Sequence, residues 1–191
     1  MGHSFTFING RIPSKPQPEF ENVLDGPFYN HYAREPNSPG ETLTQAVEHT
    51  LQAIRDQGPF DGIIGFSQGA ALACSMLATM KGKTRDGLEE PLFKCAVFIC
   101  AAEPFDGAGM RPLRVRGRAD AGAGVLVDVP TGHILGRQDE LVEQAEGLCS
   151  LCEPTKAVVY DHGLGHKVPF DWERTERMVG VVEEVIRRAR G

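Results

Sequence analysis

The fold is decided by one stretch, residues 60–80, which reads FDGIIGFSQGAALACSMLATM. Its first part, residues 60–66, is short and apolar, which predicts a buried strand, and the Ala-rich residues 68–80 predict a helix. The turn between them is a G-x-S-x-G pattern with Ser67 at its centre. A strand, a sharp turn and a helix present such a serine hydroxyl at the carboxyl end of the strand. Ser67 is therefore a candidate nucleophile, and the alternative is a tight turn with an incidental serine.

Strand-like and helix-like segments alternate along the rest of the chain. Residues 11–40 contain six prolines, which exclude a regular helix or a central strand there. Hydrophobic patterning predicts strands at 5–10, 60–66, 94–100, 125–135 and 156–160, and helices at 41–57, 68–80, 139–149 and 171–190. This order predicts a single α/β domain over residues 1–191, with a mainly parallel sheet.

The composition argues against several classes of function. The net charge of −6 disfavours general binding to nucleic acid or to an anionic membrane surface. The sequence contains no apolar run long enough to span a membrane. Five cysteines and the lack of a signal-peptide pattern favour reduced thiols in a cytoplasmic protein. Cys149 and Cys152 form a lone C-x-x-C, and without a second such pair we expect no metal. The sequence has no phosphate-binding loop, so we expect no organic cofactor.

A nucleophilic serine needs a base, and the base needs an acid to orient it. Asp139 lies shortly after the strand predicted at 125–135, behind Gly136-Arg137-Gln138. Glu140 is the alternative acid, and a simple helix N-cap is the alternative role of Asp139. Two histidines, His162 and His166, lie in the Gly-rich loop after the last predicted strand. The patterning favours His166 as the base but does not separate it well from His162.

Four stretches, in this order along the chain, resemble the fungal serine hydrolase family. They are residues 61–73 around the G-x-S-x-G turn, 98–102, 130–139, and the Gly-His-x-x-Pro loop at 165–169. The resemblance implies an α/β-hydrolase-like fold with helices on both faces of the sheet. It also implies a catalytic triad of Ser67, Asp139 and His166, and it selects His166 over His162. The backbone N–H of Gln68 would be one oxyanion donor.

The chain departs from this family at its start. The family opens with a strand, a His-Gly loop and a helix, and Met1 falls just before the segment that resembles the next strand. We therefore expect an N-terminally truncated version of the fold, in which the second oxyanion donor has no visible source. A missing strand would bare one sheet edge, and bare edges tend to be covered or paired. We accordingly expect a homodimer formed through that edge.

Two further groups of residues are candidates for substrate binding. Phe28, Tyr29 and Tyr32 are candidates to line an apolar pocket, although they could equally hold their own loop in place. Arg111 and Arg114 belong to an arginine-rich loop that also contains Arg116 and Arg118. Such a loop can bind a carboxylate or the phosphate of a carrier arm, and the alternative is a solvated surface loop.

These observations predict a serine esterase or thioesterase without metal or organic cofactor. The resemblance implies an acyl or polyketide-type substrate, which a carrier protein could present. The first alternative is a hydrolase-fold protein that guides a cyclisation, isomerisation or elimination of a biosynthetic intermediate, with His166 or Asp139 as acid–base. The second is a non-catalytic binding protein.

Overall fold

The computed structural model of the protein describes residues 2–16, 25–33, 42–81, 91–106, 110–114 and 125–191. These residues fall into two compact units, Met1–Pro59 and Phe60–Gly191. The expectation of a single domain over residues 1–191 stays a prediction.

The larger unit is built on a four-stranded parallel sheet. Its strands follow the chain in the order β3 (Gly62–Phe66), β4 (Cys95–Ile99), β5 (Thr131–Leu135) and β6 (Ala157–Asp161), each paired with the next. Its helices are α2 (Gln68–Met80), α3 (Val142–Cys149) and α4 (Trp172–Ala189). This architecture confirms the predicted α/β class with a parallel sheet.

Helices cover both faces of this sheet, as predicted. Gly65 and Phe98 are register partners and point to the same face, and a Cβ on Gly65 would lie 2.5 Å from the backbone of the first turn of α2. On the opposite face, Val97 packs in one cluster with Val181 and Val185 of α4. The central strands are therefore buried on both sides, which explains their continuous apolar sequence.

Two of the predicted element boundaries are wrong. The strand predicted at 125–135 begins only at Thr131, directly after Pro130, whose ring removes a donor from the ladder. Val127 makes no more than an isolated parallel bridge to Cys152. The helix predicted from residue 139 begins at Val142, because Asp139 lies in a turn and uses its carboxylate to accept the N–H of Leu141.

Among its described residues, the smaller unit contains a two-stranded antiparallel sheet and one helix. Strands β1 (Ile12–Ser14) and β2 (Phe28–Asn30) pair with Pro13 opposite Tyr29. Helix α1 (Leu43–Gln57) begins with a capping box, in which Thr42 and Gln45 each bond the other's backbone N–H. Pro13 is compatible with β1, because a proline is tolerated in an edge strand of a sheet.

The strand predicted at residues 5–10 is wrong. The structure assigns no secondary structure to these residues, and Phe7 is 91% exposed. Alternation of aromatic and polar residues marks a strand only where a neighbouring strand supplies the hydrogen bonds and a core takes up one face. In the described part of the chain, no helix is both long enough and apolar enough to cross a membrane.

His133 is a buried histidine in the middle of β5. Its ring centroid lies 5.4 Å from that of Phe98, and its Nε2 lies 3.0 Å from the hydroxyl oxygen of Thr131. Burial lowers the pKa of His133 to about 4. The ring is therefore neutral at neutral pH and serves packing in the core.

This buried ring should make the protein less stable in acid. The unfolded chain has a histidine pKa near 6.5 and therefore binds more protons than the folded chain between that pH and about 4. The contribution of His133 is fully present above the unfolded pKa and is lost as the pH falls towards the folded one. In the wild type, His133 should lower the free energy of unfolding by up to about 3 kcal/mol as the pH falls through this range. His133→Gln should remove this part of the fall, as measured by urea unfolding across the same range.

The matched control is His3→Gln, which removes an exposed histidine and should leave the pH dependence of stability as in the wild type. Equal pH dependence in the wild type and His133→Gln would contradict the assignment of a neutral buried ring.

Candidate active site

Each of the four parallel strands is followed by a residue whose side chain lies at the carboxyl-terminal edge of the sheet. Ser67 follows β3 and Cys100 follows β4, while Asp139 and His166 lie in the turns after β5 and β6. The carboxyl ends of parallel strands lie at the same edge, where ligands bind in open α/β sheets. The sheet thus brings together residues that lie far apart in sequence.

Ser67 stands on the sharp turn that the G-x-S-x-G pattern predicts. Its backbone has φ 52° and ψ −117°, a conformation that non-glycine residues rarely adopt. Its N–H donates to the carbonyl of Ile99 at 2.9 Å, and its carbonyl accepts the N–H groups of Ala70 and Ala71 at 3.1 and 3.2 Å. These bonds hold the strained residue between β4 and the first turn of α2.

His166 connects Ser67 to Asp139 through two hydrogen bonds. Its Nδ1 lies 2.8 Å from Oδ2 of Asp139, and its Nε2 lies 2.9 Å from Oγ of Ser67. A carboxylate can only accept, so Nδ1 carries the proton, and in the neutral ring Nε2 accepts the serine hydroxyl. The ring of Phe66 lies against the imidazole, with centroids 5.1 Å apart.

Asp139, and not its neighbour Glu140, faces the imidazole. Asp139 is 4% exposed, whereas Glu140 is exposed. The second carboxylate oxygen of Asp139 accepts the N–H of Leu141 at 2.8 Å, and its backbone N–H donates to Gly136 at 3.0 Å. The turn therefore holds one carboxylate oxygen and leaves the other, Oδ2, facing His166.

The other candidate base, His162, has both ring nitrogens bonded to groups other than Ser67. Its Nε2 lies 3.4 Å from Sγ of Cys100, and its Nδ1 accepts the N–H of Leu164 at 3.2 Å. The structure therefore brings His166, and not His162, to the serine.

Comparison with known proteins places this chain in a family. The model of a family described as serine hydrolase (FSH1) matches residues 1–178. Esterase FPY3 of Fusarium mangiferae is 33% identical over 194 residues, which cover 99% of this chain and 84% of that protein. The chain belongs to the FSH1 serine hydrolase family. This finding confirms the resemblance seen in the four sequence motifs.

Two further comparisons give a second relative and a structural neighbour. Hydrolase phiM of Talaromyces stipitatus is 27% identical over 198 residues, which cover 95% of this chain and 74% of that protein. The solved structure of a proposed hydrolase from Agrobacterium vitis S4 matches with a TM-score of 0.53 at 16% identity, covering 81% of this chain and 74% of that one. That structural match supports the α/β-hydrolase-like fold.

Cys100 is a neighbour of this site that the sequence analysis did not single out. It is buried, has φ 43°, and its Sγ lies 3.4 Å from the ring of His162. Burial and the nearby Asp139 carboxylate raise the pKa of the Cys100 thiol to about 12. Its place directly after a strand of the parallel sheet was the signal that could have identified it.

The described residues contain one group that could hold a metal ion. The donor atoms of Cys100, Asp139 and His166 all lie within 4.8 Å of one another. Two of these donors already bond each other, and the thiol has a raised pKa. An ion would therefore have to displace both the Asp139–His166 hydrogen bond and the thiol proton. The absence of a metal stays a prediction.

The candidate oxyanion donor and the substrate-binding candidates remain predictions. Gln68 is the first residue of α2 and directly follows Ser67, as an oxyanion donor must. The guanidinium of Arg114 is paired with the carboxylate of Glu103, while the backbone N–H of Arg111 donates to Asp106 at 3.3 Å. Arg116 and Arg118 lie outside the described residues.

The aromatic candidates belong to the smaller unit. Phe28 and Tyr29 lie in β2, where Tyr29 is 38% exposed, and Tyr32 is buried just beyond that strand. Burial suits Tyr32 to holding its own segment in place, whereas the exposed Tyr29 is accessible to a ligand. Their assignment to an apolar pocket stays a prediction.

Gly65 should be indispensable to the turn at Ser67. A Cβ at this position would lie 2.5 Å from the backbone of Gly69 and Ala70, where no side chain can move aside. We expect Gly65→Ala to lower the free energy of unfolding by about 1–3 kcal/mol or more, measured by urea unfolding.

The matched control for this change is Gly180→Ala in α4. A Cβ there meets no atom within 4 Å, and alanine is the better helix former by about 1 kcal/mol. The control should be as stable as the wild type or more so. Equal stability of Gly65→Ala and the wild type would show that the turn has room that the structure does not provide.

Proposed function

We propose that this serine hydrolase cleaves an ester or thioester of an acyl substrate, with Ser67 as the nucleophile. The observation that carries the proposal is the continuous hydrogen-bonded chain Ser67–His166–Asp139, with links of 2.9 and 2.8 Å. Such a chain activates a serine by giving its proton an acceptor of fixed orientation. The names of the relatives, esterase and hydrolase, support the same class of reaction.

In the first half of the reaction, Oγ of Ser67 attacks the acyl carbonyl while Nε2 of His166 takes its proton. Collapse of the tetrahedral intermediate breaks the bond to the alcohol or thiol, which leaves with the proton from His166. The acyl group is then bound to Ser67. In the second half, water attacks the acyl group bound to Ser67 while His166 takes its proton. The products are the carboxylic acid and free Ser67. Asp139 stabilises the imidazolium that forms in both halves.

The backbone N–H of Gln68 would stabilise the oxyanion of each tetrahedral intermediate. Loss of one oxyanion donor typically costs about 2.7–4 kcal/mol, so this N–H would carry a substantial part of the rate. Thioesters and activated esters need less of this stabilisation than unactivated esters. We therefore propose an acyl thioester, free or bound to a carrier protein, as the first substrate class to test.

Covalent labelling by a fluorophosphonate tests the nucleophile directly. We expect one adduct on the wild type by intact mass and none on Ser67→Ala or His166→Ala. Asp139→Asn should retain the fold but slow labelling by roughly 10³–10⁴, because the amide stabilises the wrong tautomer of the imidazole. Ser150→Ala removes an exposed serine and should be labelled like the wild type.

Folded wild-type protein that forms no adduct would contradict an activated serine. Turnover of a biosynthetic intermediate that survives Ser67→Ala but not His166→Ala would instead favour acid–base catalysis of a cyclisation, isomerisation or elimination. Binding without turnover in all variants would favour a non-catalytic protein.

We also propose a homodimer formed across the outer edge of β3. Within the part of the chain that the structure describes, β3 pairs only with β4. A strand edge offers N–H and C=O groups that can pair with a second copy. Light scattering should therefore give twice the chain mass of 20.8 kDa, and a monomer mass over the working concentration range would refute the dimer.

A further inference from the structure

A second hydrogen-bonded chain lies beside the Ser67–His166–Asp139 chain and begins at His162. The residue is 2% exposed, and all its polar groups are engaged. Its backbone N–H donates to Leu135 at 2.8 Å, and its carbonyl accepts Nε of Arg174 at 2.9 Å. Its Nδ1 accepts the N–H of Leu164 at 3.2 Å. His162 therefore joins β5, α4 and its own loop.

The bond from Leu164 determines the tautomer of the His162 ring. A backbone N–H can only donate, so Nδ1 has no proton and the proton of the neutral ring is on Nε2. Nε2 lies 3.4 Å from Sγ of Cys100, which accepts this proton. Burial lowers the pKa of His162, which agrees with a neutral ring.

Cys100 extends this chain to Lys167, the residue that follows His166. Its thiol, neutral because burial raises its pKa, lies 3.5 Å from the carbonyl of Lys167 and can donate to it. The chain therefore runs from Leu164 through His162 and Cys100 to Lys167. It contacts the backbone two residues before His166 and one residue after it.

The anchor of this chain is the end of strand β4. The backbone N–H of Cys100 donates to the carbonyl of Ile134 at 2.8 Å, which ties the residue to β5. Its φ of 43° is uncommon for a residue with a side chain, and such strain persists only where surrounding contacts impose it. The thiol thus lies beside the carbonyl of Lys167 in the His166 loop and close to the carboxylate of Asp139.

From this geometry we propose that Cys100 and His162 form a positioning pair, which holds the loop of His166 so that its ring meets both Ser67 and Asp139. Neither residue touches the reacting atoms. The inference rests on the proposed role of His166 as the base. A displacement of a catalytic group by about 1 Å can cost roughly a hundredfold in rate, so loss of the pair should slow chemistry more than it affects substrate binding.

The first experiment measures the tautomers of the two histidines in the wild type. Long-range ¹H–¹⁵N spectra at neutral pH should show His162 protonated on Nε2 and His166 protonated on Nδ1. A proton on Nδ1 of His162 would break the chain at Leu164 and overturn the proposal.

The second experiment compares two buried cysteines. Cys100→Ala should reduce the rate constant of fluorophosphonate labelling, and kcat for a thioester, by up to about a hundredfold with little change in KM. Cys74→Ala, at another buried cysteine in α2, should lower stability but leave both rates unchanged. Cys100→Ser, which keeps a donor and an acceptor, should restore part of the lost rate. Wild-type rates in folded Cys100→Ala would overturn the proposal.

The positioning pair can also be tested if Ser67 proves not to be activated. Failure of the wild type to react would contradict the proposed function but not the geometry of the loop. In that case the Nδ1 proton of His166, which reports its bond to Asp139, decides the matter. A change of its chemical shift in Cys100→Ala but not in Cys74→Ala would support positioning, and an unchanged signal in both would refute it.

Discussion

The site depends on one constraint, the parallel alignment of four strands that all end at the same edge. Ser67 and His166 lie 99 residues apart in sequence, yet their side chains meet at 2.9 Å because β3 and β6 point the same way. The intervening strands β4 and β5 set the spacing across the sheet. An antiparallel strand in this set would carry its final residue to the opposite edge and leave the chain of hydrogen bonds incomplete.

Bringing the loops this close leaves no room at certain backbone positions. A Cβ on Gly136 would lie 2.0 Å from the carbonyl of Leu164 and 2.6 Å from Cε1 of His162. The turn that carries Asp139 therefore packs directly against the loop that carries His166, and only a residue without a side chain fits between them. The strained φ values of Ser67 and Cys100 have the same origin, since both residues end strands where the chain must turn into the site.

The sequence predicted those features that depend on local pattern and on chain order. Helix α2 was predicted with its observed bounds, because its Ala-rich sequence follows directly on the Gly-flanked turn. Asp139, His162 and His166 are candidates because each follows a predicted strand, and the family resemblance selects His166 over His162. The strand predicted at 5–10 failed because alternation does not supply a partner strand. The contact between Cys100 and His162 was not predicted, because it depends on how two side chains turn once the sheet has formed.

The two histidines of the last loop show why such contacts determine chemistry. His162 and His166 have the same side chain and lie four residues apart, but their neighbours select opposite tautomers. A carboxylate at Nδ1 of His166 leaves Nε2 to accept a proton from Ser67, whereas a backbone N–H at Nδ1 of His162 turns Nε2 into a donor. A donor at that atom cannot serve as a base. The environment of each ring thus distinguishes the proposed base, His166, from its proposed support, His162, which residue type alone cannot do.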